Sequence, residues 1–326
     1  MTTSPRNRRL ALPAAAKEYL GMMAALGLMI VIFSLVTKHF FSVITFQTIA
    51  NQYAEYFVVA VGMTFVLIVA GIDLSVGSVM ALSGAVLGVC MARYNLPAPL
   101  AVLACLGVGL ACGLINGLVI VTWRLPSFIV TLGMLEAARG ATFLVTGSGT
   151  HYVGGAISPL AEANLLGFSV PFLVAVAVVV AGQLVLSRTV FGRHAVAIGT
   201  NEEAVRLSGI DPRRVKVIVF ALSGLLAALG AVFLTSRMGS ADPNAGTGFE
   251  LEAIAAVVIG GTSLMGGRGS VLRSFFGVLI FAVLGSGLAQ VGATEHGKRL
   301  STGCVIVAAV IVDYYRQRLK RSDAIG

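Results

Sequence analysis

The chain has 326 residues, of which 57% are hydrophobic and 11% are charged, and its mean hydropathy is +0.93. A soluble domain carries charge on about a quarter of its residues, so this composition excludes an ordinary soluble protein and predicts an all-α, polytopic membrane helical bundle. The formal net charge of +9 requires no nucleic acid partner, because basic loops at a membrane surface account for it.

Apolar runs long enough to cross about 30 Å of hydrocarbon as helix recur along the whole chain. We predict about ten of them, with eight to ten crossings compatible with the pattern. The third and the eighth adjoin glycine-rich turns that could re-enter the membrane rather than cross it. The ten segments lie near residues 19–37, 52–70, 75–93, 98–122, 126–146, 168–187, 215–236, 250–266, 270–292 and 300–315.

The distribution of Lys and Arg predicts the orientation of this map. With the N-terminus placed inside, 17 basic residues fall in inside segments, 5 fall in outside segments, and Arg139 lies within a span, which accounts for all 23. The positive-inside rule then places both termini in the cytoplasm. The expected organisation is a cytoplasmic tail (1–18), a transmembrane domain (19–315) with a cytoplasmic loop (188–216), and a basic tail (316–326).

The turn between the second and third segments contains Asp73 and Ser75. Asp73 is expected to cap the third segment near Ser75 or to contact a moving neighbour. The pattern Gly-x-x-Leu-x-x-Gly occurs here, at residues 71–77, and again at residues 261–267. An internal duplication, as in many transporters, and an ordinary tight turn both remain open.

The fourth segment carries small residues at every fourth position. Such a stripe allows another helix to approach at close backbone distance, so this helix is expected in the bundle interior or at a seam between subunits. The stripe consists of Ala101, Cys105, Gly109, Gly113 and Gly117.

Two charged residues, Glu136 and Arg139, lie in the middle of the fifth segment, where an ionised group costs about 2.5–3.5 kcal/mol. Three positions apart, they share one helical face and are expected to pair. The pair could lock the helix against its neighbours, line a solute pathway or carry a proton. The candidate pathway or gating residues are Asp73, Ser75, Asn116, Glu136, Arg139 and Glu250.

The cytoplasmic loop contains a short polar helix. Thr200 is predicted as its N-cap, with Glu203 completing a capping box, while Gly209 closes the far end and Pro212 prevents continuation. Six basic residues surround it. The helix is either a solvated surface element or a docking site for a soluble partner. Its candidate residues are Thr200, Asn201, Glu202, Glu203, Ala204, Val205, Arg206, Leu207, Ser208 and Gly209.

No complete cofactor motif is present in the sequence. Residues 292–299 spell Gly-x4-Gly-Lys but end in Arg, where a phosphate-binding loop needs Ser or Thr. The histidines and cysteines have no metal-ligand spacing, and no nucleophile and base stand together. The chain is therefore expected to bind no cofactor or metal and to have no catalytic residues, so active transport would need a partner that supplies energy.

Five stretches, at residues 62–79, 126–134, 192–193, 197–210 and 250–269, together carry a family resemblance. On these stretches the chain resembles the membrane-spanning permease of ribose-type ABC sugar importers, the inner membrane component of binding-protein-dependent transport systems. The resemblance extends over most of the chain. It identifies the family and not the sugar.

The resemblance implies a multi-pass protein of the bacterial inner membrane with several protein partners. These are a cytoplasmic ABC ATPase that holds ATP and Mg²⁺, a second copy of the permease or a sister chain, and a soluble solute-binding protein. Residues 200–209 would be the coupling helix, seated in a groove of the ATPase. Closure of the ATPase pair would then open the pathway alternately to the two sides.

Three alternatives stay open on the sequence. An ion-gradient-driven secondary transporter would use Glu136 and Arg139 as coupling groups, although it needs no docking helix in the loop. An ABC permease for another solute, such as branched amino acids, would differ only in the ligand of its binding protein. A membrane scaffold would show no dependence on solute.

Overall fold

The computed structural model of the chain describes residues 14–294, 296–305, 307, 308 and 311. Most of the predicted N-terminal tail and all of the predicted basic tail lie outside these residues. The described chain is all-α apart from two pairs of two-residue strands. In chain order its elements are α1 (Ala14–Val36), α2 (Val43–Gln52), α3 (Ala54–Ile68), α4 (Val76–Ala92), α5 (Ala98–Trp123), α6 (Ser127–Thr146), β1 (His151–Tyr152), α7 (Ser158–Glu162), β2 (Asn164–Leu165), β3 (Phe168–Ser169), α8 (Val170–Arg188), α9 (Val190–Thr200), α10 (Glu202–Leu207), α11 (Pro212–Met238), β4 (Ser240–Ala241), α12 (Phe249–Ile259) and α13 (Val271–Gln290), followed by helical residues 296–305.

Six helices in the described residues are long and apolar enough to cross a membrane, namely α1, α5, α6, α8, α11 and α13. A seventh crossing arises if α2 and α3, which meet at a bend of 52°, are counted as one broken span. The chain is therefore a polytopic membrane protein. The third and eighth predicted segments correspond to the shorter helices α4 and α12, of 17 and 11 residues.

Several helices of the bundle begin where the sequence offers a capping oxygen. A Ser or Thr hydroxyl accepts a hydrogen bond from a backbone N–H of the first turn in α2, α8, α9 and α13, and Asp211 does the same for α11. Such a cap satisfies one of the N–H groups that have no partner within the helix. Pro171 and Pro212 stand in the first turn of α8 and α11, where the missing N–H does no harm.

The packing of α5 against α11 forms the centre of the bundle, and it confirms the predicted small-residue stripe. A methyl group added at Gly109 would overlap the carbonyl oxygen of Gly224, and one added at Gly113 would overlap that of Phe220. Higher in the same seam, the Cys105 Sγ lies 3.5 Å from the Ala228 carbonyl oxygen. Because only glycine leaves room for this approach, the stripe fixes α11 next to α5.

The helices run between two ends of the bundle. At one, called here the α10 end, the turn after α3 meets the turn after α12, where the Gly267 N–H donates to the Ile68 carbonyl at 2.9 Å. At the other, called the β1 end, β1 pairs antiparallel with β4, Tyr152 opposite Ser240. There the amides of Gln47 and Asn51 on α2 bind the β2–β3 hairpin.

The two segments with the Gly-x-x-Leu-x-x-Gly pattern occupy equivalent places in the fold. Residues 71–77 connect α3 to α4, residues 261–267 connect α12 to α13, and the two connections touch at the α10 end. Ala70, which has a φ of +57°, packs against Gly266, which has a φ of +80°. Each connection joins one helix that ends here to another that leaves.

We predict that Gly113→Ala lowers the free energy of unfolding by about 1–3 kcal/mol, because the added methyl group overpacks the seam with α11. The matched control is Gly107→Ala on the same helix, where nothing lies within 4 Å of the added methyl group. That change should be neutral or stabilise by up to about 1 kcal/mol. Thermal unfolding of the purified chain in detergent measures both, and equal shifts in Tm for the two variants would contradict the packing.

Candidate functional site

The polar helix of the loop is α10, and its N-cap differs from the predicted one. Thr200 is the last residue of α9, and its hydroxyl donates to the Val196 carbonyl at 2.9 Å. The cap of α10 is Asn201, whose Oδ1 accepts from the Ala204 N–H at 3.0 Å. The predicted capping box is therefore wrong, because a longer helix already contains Thr200.

The other end of α10 follows the prediction. Gly209 has a φ of +87° and closes the helix, and α11 starts at Pro212 directly afterwards. Glu203, expected to complete the box, instead accepts from the Arg206 guanidinium. That hydrogen bond lowers the pKa of the exposed Glu203 carboxyl group. The two side chains form a charged ridge on the open side of α10.

An open cleft of about 710 Å³ lies between α10 and the end of α5. Its walls combine apolar side chains, such as Ile120 and Leu125, with charged ones. Lys216 pairs with Glu202 across it, and Leu207, on the same short helix, is 78% exposed. An apolar residue so exposed beside paired charges is typical of a surface that another protein covers.

The α9–α10 pair is joined to the glycine-rich turns of the bundle. A methyl group on Gly199 would overlap the Ile68 carbonyl oxygen, and Gly267 packs against Thr200. The end of α9 thus touches the end of α3 and the connection between α12 and α13.

Inside the bundle, Asp73 is the centre of a buried polar network. Its Oδ1 accepts from the N–H and the hydroxyl of Ser75, at 2.9 and 2.7 Å, and its Oδ2 accepts from the Ser223 hydroxyl of α11 at 2.8 Å. The Asn116 amide of α5 donates to the Ser75 Oγ at 3.0 Å. Asp73 therefore binds Ser75, the residue just before α4, and contacts the neighbouring helix α11, although no side chain caps α4 itself.

Three of the six candidate pathway residues thus belong to one network. The extended stretch just before α4 completes it, because the Ile72 N–H donates to the Ser127 hydroxyl and the Leu74 N–H to the Thr131 hydroxyl, at 2.9 and 3.1 Å. Non-helical backbone at membrane depth needs such partners. The network holds the extended stretch of residues 71–75 and the start of α4 in place.

The short helices α4 and α12 meet at their N-terminal ends. A methyl group on Gly77 would overlap both the carbonyl oxygen of Gly246 and the carboxylate of Glu250. Glu250 and Glu252 occupy the first turn of α12, where the helix dipole stabilises a carboxylate. Residues 240–248 reach this junction from the β1 end as non-helical chain with one short strand. The eighth predicted segment is therefore an 11-residue helix preceded by non-helical chain.

Arg139 and Glu136 do not form the predicted ion pair in the described structure. The Arg139 guanidinium donates instead to the carbonyl oxygens of Pro243 and Ala245, both at 2.9 Å. Glu136 lies exposed on the outer face of α6. Two carbonyl groups of a non-helical segment bind the guanidinium in place of the carboxylate, and the sequence does not reveal their proximity.

A second charged cluster near this junction was not predicted. Glu55, at the start of α3, is 3% exposed and pairs with Arg237 in the last turn of α11. The Tyr56 hydroxyl donates to the Glu252 carboxylate at 2.7 Å. These contacts join α3, α11 and α12. The sequence signal that could have revealed this cluster is the carboxylate of Glu55 among the apolar residues of the second predicted segment.

The helix α11 connects both regions. Its first residue, Pro212, follows α10 within five residues, and its last residue, Met238, precedes the non-helical segment that leads to α12. Residues 212–238 form 27 uninterrupted residues of helix, roughly 40 Å at 1.5 Å per residue. No group of three or more His, Cys, Asp or Glu side chains in the described part of the chain could hold a metal ion.

Comparison with known proteins gives the following similarities. Residues 44–310 match the family model described as "Branched-chain amino acid transport system / permease component". The chain is 39% identical to the ribose import permease of Haemophilus influenzae over 89% of this chain and 91% of that protein. It is 39% identical to the ribose import permease of Bacillus subtilis, covering 91% and 92%. It is 36% identical to the fructose import permease of Rhizobium meliloti, covering 91% and 86%. Comparison with solved structures gave no match.

We expect Asn201→Ala to destabilise α10 by about 0.5–2 kcal/mol through loss of its cap. Hydrogen exchange of the α10 amides in the purified chain should then accelerate about 2- to 30-fold. The control is Thr200→Ala, which removes the predicted but unused cap and should leave these amides unchanged. If only the Thr200→Ala variant showed faster exchange, Thr200 and not Asn201 would be the cap of α10.

Proposed function

This chain belongs to the family of transport-system permease components that includes the ribose and fructose import permeases, and from that premise we propose that it is the permease of a sugar importer. Its substrate is a simple sugar or a related small polar solute. It lies in the bacterial inner membrane as a multi-pass protein. The observation that carries the proposal is the similarity to the ribose permeases over about nine-tenths of the chain.

The membrane topology consists of ten crossings with both termini in the cytoplasm. Helices α4 and α12, each extended by its non-helical neighbour, supply the third and eighth crossings, and residues 296–305 begin the tenth. The directions of the helices support this arrangement, because it places α9, α10 and the basic residues of residues 188–216 on the same side as the N-terminus. The α10 end is then cytoplasmic and the β1 end faces outward.

Helix α10 is the coupling helix, and residues 200–209 dock on a cytoplasmic ABC ATPase. ATP and Mg²⁺ bind to that partner, and this chain supplies only the surface. The exposed Leu207 and the Glu203–Arg206 ridge are the contacts that support this role. Two permease chains, alike or paired with a sister chain, and a soluble solute-binding protein complete the importer.

The contacts of α9 and α10 with the rest of the bundle suggest how ATP drives transport. Closure of the ATPase pair moves α9 and α10, and the movement reaches the interior through the Gly199–Ile68 contact and along α11. The shift in equilibrium from one permease state to the other requires a differential binding energy of about 5.5 kcal/mol for nearly complete conversion. ATP binding by the partner supplies that difference.

The candidate pathway residues divide into two roles. Asp73, Ser75 and Asn116 position the start of α4, and Arg139 positions the segment before α12. Glu250 lies where the two short helices meet, and Glu136 faces outward from α6, so these two carboxylates are the candidates for direct contact with solute. A secondary transporter remains disfavoured, because the group expected to couple it, the Glu136–Arg139 pair, is absent from the described contacts.

We predict that Arg206→Glu lowers solute-stimulated ATP hydrolysis of the assembled importer at least about tenfold, equivalent to a docking loss of about 1.4 kcal/mol. The Tm should stay unchanged, because the Arg206 side chain is 57% exposed. The measurement compares hydrolysis in proteoliposomes with the amount of ATPase that co-purifies with the tagged chain.

The control is Arg214→Glu, which reverses a charge in the first turn of α11 that is more exposed than Arg206, 88% against 57%. It should leave both hydrolysis and co-purification near their original values. Normal stimulated hydrolysis in the Arg206 variant would refute docking through α10. Absence of any co-purifying ATPase from the unmodified chain, with solute transport intact, would refute the importer itself.

A further inference from the structure

A second cavity, of about 290 Å³, lies on the other side of the molecule from α10. Its walls are α4, the last two turns of α11, and residues 240–246, which run past its mouth at the β1 end. Pockets for drug-sized ligands occupy roughly 300–1,000 Å³, so this cavity suits a smaller solute, about the size of a monosaccharide. The side chains of Thr235, Asp242 and Asn244 in its wall take no part in the contacts discussed above.

The cavity contains polar groups that have no complete set of partners within the described chain. Thr235 is 3% exposed and its hydroxyl makes no hydrogen bond, whereas the hydroxyls of Thr142 and Thr146 each bond the carbonyl four residues earlier. Asp242 uses its Oδ1 to bind the N–H and amide of Asn244, which leaves its Oδ2 available. Because Thr235 lines the cavity, its hydroxyl is free to bind a ligand or water there.

The remaining wall of the cavity is apolar. Met80, Leu234 and Met238 face the same space as the polar groups. A sugar has this double character, because hydroxyl groups lie around its rim while C–H groups cover parts of its ring faces. A carboxylate, an amide oxygen and a hydroxyl bind the hydroxyl groups, and flexible methionines cover the apolar part of the ring.

The mouth of the cavity is formed by a segment that has hinges at both ends. Gly239, Gly246 and Gly248 have φ values of +64°, +67° and +82°, conformations that glycine adopts without strain. Between these glycines the segment is held by Arg139, through the Pro243 and Ala245 carbonyl groups. Residues 239–248, called here the rim segment, therefore connect the cavity to the junction of α4 and α12.

We propose that this cavity is an outward-facing entry site for a monosaccharide, in which Thr235, Asp242 and Asn244 bind hydroxyl groups of the solute. The inference rests on the proposed function, since it identifies where the imported solute first contacts this chain. A sugar bound in the site displaces the rim segment. The displacement reaches the start of α12 through the contacts of Arg139 and Gly246. The site needs only low affinity, because the solute must leave it toward the pathway.

The test is cysteine labelling of the full chain in proteoliposomes, without added binding protein. The four native cysteines are replaced, and one cysteine is introduced as Ala245→Cys in the cavity wall. A membrane-impermeant methanethiosulfonate reagent is applied from outside, with ribose, with fructose, or with glycine betaine as an osmotic control. The matched control is Thr247→Cys, an exposed position on the rim segment outside the cavity.

Ribose or fructose should slow labelling of the Ala245→Cys chain about tenfold at about ten times its dissociation constant, because only the unoccupied fraction reacts. Labelling of the Thr247→Cys chain should not change. Adding Thr235→Val, which keeps the size of the side chain and removes its hydroxyl, should abolish most of the protection while preserving the labelling rate without sugar.

Three results would overturn the entry site: no labelling at residue 245 from outside, a labelling rate that neither sugar changes, or equal protection at residue 247. Full protection in the Thr235→Val chain would remove Thr235 from the site and contradict the assignment of its hydroxyl. The same preparations are assayed for co-purified ATPase. If the ATPase co-purifies but no sugar protects residue 245, only the entry site is refuted. If no ATPase co-purifies, the proposed function is refuted.

Discussion

The close contact of α5 with α11 is the constraint on which the rest of the molecule depends. Facing glycines, Gly109 and Gly113 against Gly224, bring the two backbones together so closely that no side chain fits between them. In a membrane the hydrophobic effect does not drive helix association, so packing of this kind supplies much of the cohesion. It also holds α11 against α5 in the centre of the bundle. The polar helix α10 lies at one end of α11 and the rim segment at the other.

Around α11, the helices α4 and α12 each follow a stretch of non-helical chain. Non-helical backbone inside a bilayer is tolerated only where the protein itself satisfies its polar groups, and the molecule does so with side chains from α6. Ser127 and Thr131 bind the N–H groups before α4, and Arg139 binds the carbonyl groups before α12. The helix α6 thus binds the non-helical stretches before both α4 and α12. This explains why an intramembrane arginine is compatible with a stable span.

The sequence predicted a polytopic helical bundle, of which six or seven spans are found in the described residues, as well as the glycine seam and the position of the polar helix. Each of these depends on local composition or on periodicity along one helix. It did not predict the N-cap, since Thr200 and Asn201 are both good caps and the choice depends on how far α9 extends. The prediction of a Glu136–Arg139 pair was wrong for a similar reason. Its competitors, two carbonyl groups more than one hundred residues away, become neighbours only in the fold. The Glu55–Arg237 pair likewise joins helices distant in sequence.

The central claim is that α11 and the turns beside it connect movement of α10 to the rim segment. The most direct measurement is the distance between two spin labels, at Asn244 on the rim segment and at Tyr94 after α4, in the importer assembled with its ATPase. The account predicts that trapping the ATPase with ATP changes this distance, while a label pair across the α5–α11 seam keeps its separation. An unchanged distance at the rim, with transport intact, would contradict the connection between the two ends.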